Sequence, residues 1–172
     1  MSILWVSVPV AVLLLGLLWF AARGYGQRVR SAGDLSAQLR PVDLESFQNL
    51  MDPEEEEFLR HNLPLSEFRA IQRERLRAAA EYVGVVTQNA AVLLRFGEAA
   101  RLSPDAEVAA AGAQLAERAI RVRMLSLRAS VELRIGVVFP GMPMKASKLI
   151  HGYQQTQGLA RSITRMKSAE AA

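Results

Sequence analysis

The residues able to carry acid–base or metal chemistry are few in this chain. It has no cysteine and two histidines, His61 and His151, so thiolate nucleophiles and cysteine-ligated metal sites are excluded at once. Glu57 and His61 stand four apart, one helical turn, which is the spacing of two ligands on one helix face. Two ligands fall short of a metal site, and the same spacing suits a surface ion pair, which is the expectation here. No glycine-rich phosphate loop, no G-x-S-x-G elbow and no H-E-x-x-H occurs. The chain reads as a non-enzyme: no catalytic residue, no cofactor, no metal set and no small-molecule substrate.

Charge, by contrast, is plentiful and uneven. Between Asp43 and Glu57 there are seven acids and no base; between Arg118 and Lys167 there are ten Lys or Arg and one acid, Glu132. Within the basic half, Arg118, Arg121, Arg123, Arg128 and Arg134 form the candidate interaction surface. Such a cluster is either a solvated face or a surface for an anionic membrane or an acidic partner. One candidate partner is the chain's own segment from Asp43 to Glu57, folding back. Nucleic acid is disfavoured, because these arginines are spread around their helix and few aromatic side chains stand beside them for base stacking.

The elements that position these residues begin with Ile3 to Ala22, twenty residues without a charge. At about 1.5 Å per residue, a helix of that length spans the roughly 30 Å hydrocarbon core of a bilayer. Trp5, Leu13, Leu14, Leu15, Trp19 and Phe20 are its anchoring side chains, with tryptophans near both ends where headgroups lie. No basic residue precedes the stretch and no A-x-A site follows it, so it reads as a retained anchor over residues 1–22 rather than a cleaved signal. Arg23, Arg28 and Arg30 follow, and basic flanks stay in the cytoplasm and contact lipid headgroups. The N-terminus is therefore expected outside and the remaining chain inside. The absence of cysteine agrees with a reducing compartment.

Residues 23–42 read as a juxtamembrane linker in which Gly24, Gly26 and Gly33 interrupt any continuous helix, with a short helical turn before Pro41. Residues 43–167 form the helical domain and 168–172 a flexible tail. Two short helices come first, Asp43 to Met51 and one opened by Asp52-Pro53, with Glu55 completing a capping box. Pro64 ends the second. Ser66 then caps a long helix from about Glu67 to Phe96, stopped by Gly97. Its seam, Leu76, Ala79, Val83, Val86, Ala90, Leu93, advances by threes and fours and predicts packing along another helix.

After a turn in which Ser103 caps and Pro104 restarts the chain, a second long helix runs to about Phe139. Its seam is Leu115, Ala119, Val122, Ser126, Ala129, Leu133. A second stripe, Ile120, Met124, Leu127, Val131, Ile135, Val138, widens the apolar face and predicts burial against the hairpin partner and the two short helices. So short a turn forces the two long helices antiparallel. The last segment, Met142 to Met166, is basic and amphipathic; it docks on the hairpin or lies in a membrane interface, with Gly152 and Gly158 favouring docking.

The fold class is thus all-α: one N-terminal transmembrane helix and an elongated antiparallel hairpin with short flanking helices. The function expected is a single-pass, membrane-anchored scaffold that assembles proteins, bound to membrane lipid and to a protein partner or a second copy. The alternative is a membrane-attached regulatory module responding to a ligand or to anionic lipid.

Overall fold

The computed structural model describes residues 32–140 and 147–170, and these are all-α, with no strand among them. The expected anchor and its flank (Trp5, Leu13, Leu14, Leu15, Trp19, Phe20, Arg23, Arg28, Arg30) lie outside the described residues. Among the described residues no helix is long and apolar enough to cross a membrane.

Among the described residues six helices follow in order: α1 (Ala32–Gln38), α2 (Leu44–Leu50), α3 (Pro53–Asn62), α4 (Leu65–Ala100), α5 (Ala106–Val138) and α6 (Ser147–Glu170). The 36 residues of α4 and 33 of α5 correspond to rods about 54 and 50 Å long. They form the antiparallel hairpin, and α6 lies along both of them. The shorter helices α1, α2 and α3 pack on α4.

Burial explains the pairing. Leu76, Ala79, Val83, Val86, Ala90 and Leu93 of α4 are all buried, as are Leu115, Ala119, Val122 and Leu133 of α5; Ala129 is half-buried against the same core. Each branched side chain removed from water there contributes about 1.5–3 kcal/mol before entropy is counted. The alanines keep the axes close, a requirement sharpest near the tip. A carbon added to Gly97 would sit 2.8 Å from the Ala116 backbone nitrogen, and one added to Gly112 would sit 2.5 Å from that of Arg101. Gly97 therefore does not stop the helix, which continues to Ala100. It is a contact point between backbones, and its missing side chain, not its flexibility, is what the fold uses.

Several start signals act differently from expectation. Asp52 caps α3 as expected, accepting from the Glu54 backbone N–H at 3.0 Å, and Asp43, expected as the first helical residue, caps α2 by accepting from the Ser46 N–H at 3.0 Å. Glu55 does not close a capping box, because its carboxylate reaches Arg75 at 3.0 Å. Ser66 caps nothing: α4 starts at Leu65, one residue after Pro64, with no side-chain cap. At α5 the cap is Asp105, which accepts from Glu107 and Val108 N–H groups, while the Ser103 hydroxyl accepts from Asp105 N–H at 3.3 Å. A carboxylate at the N-terminus adds charge to capping, and that favours Asp105 over Ser103.

The stretch before Asp43 also joins the bundle. Gly33 does not prevent α1, Leu35 is buried in the core, and Leu39 and Val42 pack against it. At the other end, α6 runs to Glu170, past the expected start of the tail. Its apolar residues Leu149, Tyr153, Ala160 and Ile163 are buried within the bundle, so this basic amphipathic helix docks on the hairpin. Lys167 completes the fit, its ammonium 5.6 Å from the centre of the buried Phe96 ring.

Candidate functional site

The second stripe of α5 marks the largest departure from expectation, and it is the most informative feature of the surface. Ile120, Met124, Val131, Ile135 and Val138 are 44–64% exposed, and Leu127 is half-buried between them. The two short helices expected to cover them pack on α4 instead. The geometry is simple: at 100° per residue the stripe lies roughly opposite the seam Leu115–Ala119–Val122, which faces α4. Leu125, between the two faces, turns toward Gly152 of α6. One flank of α5 is thus taken by α6 and its back by α4, leaving the stripe open. Beyond it, Phe139 is 64% exposed at the end of the helix.

Arginines edge this apolar face. Arg121 pairs with Glu117 at 2.9 Å and Arg128 with Glu132 at 2.6 Å, each across one helical turn and at the surface. The Glu132 hydrogen bond holds the Arg128 guanidinium pKa above its ordinary value. Arg134 and Arg118 are exposed. Arg123 is different: it is half-buried, and burial pulls its pKa down. Arg95 of α4 is lowered too, chiefly by burial and then by the positive charge of Arg123. The five arginines singled out from the sequence therefore do not form one surface. Arg121, Arg128 and Arg134 border the stripe, Arg118 faces away with α6, and Arg123 turns partly inward.

The acidic segment does not fold back on these arginines. Two of its carboxylates are used by α3 and α4, Glu56 taking Arg60 at 2.6 Å and Gln72 at 3.1 Å and Glu55 taking Arg75, and Asp43 and Asp52 are used as caps. Arg75 is buried, and its guanidinium also donates to the Leu50 carbonyl and to the Asn49 carbonyl at 3.2 Å each, the latter already accepting from the Asp52 N–H, so it ties down the end of α2. Proximity decides the pairing, since α3 and α4 are joined by two residues. The expected Glu57–His61 ion pair is likewise absent. His61 Nδ1 donates to the Glu57 backbone carbonyl at 2.9 Å, which fixes the proton on that nitrogen.

Between α5 and α6 lies an open groove of about 450 Å³, lined among others by Gln114, Arg118, Arg121, Gln155 and Thr156. The Thr156 hydroxyl is used within its helix, donating to the Gly152 carbonyl at 2.6 Å. Among the described residues no three His, Asp or Glu side chains gather where they would hold a metal ion.

Sequence reasoning missed a buried polar node where α4, α6 and the segment before α2 meet, made by Asn89, Tyr153, Gln157 and Arg40. The available signal was Asn89 itself, an amide on the buried side of the run Val83 to Leu94. It is bonded on every side and offers no free group for chemistry.

The chain matches no protein-family model, and comparison with curated proteins and with solved structures finds no match either.

Proposed function

We propose that this protein is a single-pass, membrane-anchored, non-enzymatic scaffold that works by contact from the inner face of the bilayer. The uncharged stretch Ile3–Ala22 supports the anchor, and the arginines after it support the orientation. The single observation that carries the reading is the uncovered apolar face of α5. Large apolar side chains aligned along some 18 residues of one helix mark a surface that meets something. The hairpin tip, where Leu102 is 81% exposed beside Arg101, is a second contact point.

The test has two parts. Carbonate-washed membranes should retain the full chain, with its C-terminal domain shielded from protease in intact cells. Pull-down from nanodiscs should recover a stoichiometric protein partner or a second copy. A soluble chain with its first 22 residues intact, or a monomer that retrieves nothing, contradicts the reading.

A second reading, a regulatory module responding to an anionic ligand, is favoured by the open groove beside Arg118 and Arg121. It predicts a rise in melting temperature with phosphorylated headgroups or metabolites that an Arg118→Gln variant loses.

A further inference from the structure

We propose that the uncovered face of α5 lies flat on the anionic bilayer to which the chain is anchored, with Ile120, Met124, Val131, Ile135 and Val138 at the headgroup–acyl boundary and Arg121, Arg128 and Arg134 reaching lipid phosphates. This rests on the anchored reading above and adds the occupant of the face.

Three observations select a lipid surface. The first is shape and chemistry. From Ile120 to Val138 the face is about 27 Å long and carries β-branched and methionine side chains bordered by arginines, as in helices that lie in an interface plane. Long arginine stems bury their methylenes and keep the charge in the headgroup layer.

The second is charge. Along α5 from Glu117 to Ile135 there are five arginines, Arg118 and Arg123 included, against two acids. Over Arg118–Lys167 the balance is ten bases less one acid, or +9. An anionic lipid surface rewards the charges that border the face, Arg121, Arg128 and Arg134, which outnumber the two acids beside them.

The third is tether length. Nine residues separate Ala22 from Ala32, the first described helical residue, and an extended chain of that length reaches at most about 36 Å. That is shorter than either long helix, so an anchored bundle is held beside the membrane at high local concentration, and a modest affinity suffices to dock it.

The chain's lack of cysteine gives a clean test. Full-length protein with Met124→Cys, or Gln88→Cys on the exposed side of α4, is labelled with an environment-sensitive fluorophore. It is then reconstituted in vesicles of phosphatidylcholine alone or mixed with phosphatidylglycerol. The label at position 124 should shift its emission to the blue and be quenched by lipid-borne quenchers in the anionic vesicles, and revert in high salt; the label at 88 should do neither. Arg121→Gln and Arg128→Gln should each lower the ratio of docked to undocked protein about fivefold, the worth of one basic residue at such a surface.

Several outcomes overturn the inference. One is a label at 124 that stays in water in anionic vesicles. Another is burial in neutral vesicles that grows with the ratio of protein to lipid, which assigns the face to a second copy. A third is burial seen only in native membranes, which assigns it to a protein partner. Failure of the full chain to float with the vesicles sinks the anchored reading itself; floating with position 124 exposed sinks this inference alone.

Discussion

Asn89 of α4 donates from Nδ2 to the Tyr153 hydroxyl of α6 at 2.6 Å, across 64 positions of sequence, and both side chains are wholly buried. The same amide donates to the Arg40 carbonyl at 2.8 Å and accepts from the Arg40 N–H at 2.9 Å, while Gln157 donates to the Tyr153 oxygen at 2.9 Å. Three segments that share no local sequence are thereby fixed in register. A polar group this deep is stabilising only while every bond is made.

Tyr153→Phe should cost about 1–3 kcal/mol, because the Asn89 and Gln157 amides both lose their acceptor. Asn89→Ala should cost more, since it also strands the Arg40 backbone groups. Urea unfolding measures both; a Tyr153→Phe midpoint equal to wild type would mean the node is idle.

Alkaline stability follows from the same hydroxyl. Burial raises the Tyr153 pKa above its ordinary value, against the opposing pull of its bonds to Asn89 and Gln157. The folded chain therefore holds this proton more tightly than the unfolded one. The contribution is whole below about pH 10 and is lost as pH rises through the folded pKa. Wild type should lose stability more steeply than Tyr153→Phe above about pH 10, and parallel curves would refute the assignment.

Glycines of the long helices should divide by sign. Gly97→Ala and Gly112→Ala drive a carbon into backbone that cannot yield, at a cost of about 1–3 kcal/mol despite better helix propensity. Gly84→Ala and Gly158→Ala meet nothing within 4 Å and should stabilise by about 0.5–1 kcal/mol. Thermal melts of the four variants decide it, and a common sign would contradict the close crossing.

Arg75→Met keeps most of the buried stem but removes the bonds to Asn49, Leu50 and Glu55. A loss of about 2–3 kcal/mol is expected, the worth of hydrogen bonds from a charged group. Hydrogen exchange should quicken in α2 and α3 before it does in α5. All three bonds come from one nitrogen, Nη2, so lysine, which keeps a single charged donor, should rescue part of the loss.

The sequence made the hairpin legible because its signal is long: twelve seam positions at steps of three and four outweigh any single misread residue. The Asp52 cap was legible for a similar reason, since residue type and the following proline carry the mechanism, whereas Asp43 was read as part of the helix it caps. Gly97 was misread because a glycine that ends a helix and a glycine that lets two helices touch look alike in one strand of text. Arg75 carries no local sign of burial, because its acceptors, two carbonyls and Glu55, sit 20 or more residues away. The second stripe of α5 was read as core because periodicity reports that a face is apolar and does not report whether anything covers it. Only the placement of α6 and of the short helices decides that.

Met124→Glu with Val131→Glu separates folding from contact. Both side chains are more than half exposed, so unfolding in solution should move by no more than about 0.5 kcal/mol. Release of the bundle from anionic vesicles, with the N-terminal anchor still embedded, is the expected effect. A large loss of stability would instead place these residues in the core.

The most direct measurement is a cysteine scan in native membranes opened to a water-soluble maleimide. Ile120, Met124, Val131 and Ile135, each replaced singly by cysteine, should react far more slowly than cysteines at Glu81 and Gln88, which are exposed on α4. The contrast should vanish in urea. Uniformly fast labelling at all six positions would leave the α5 face bare in its own setting and contradict the account.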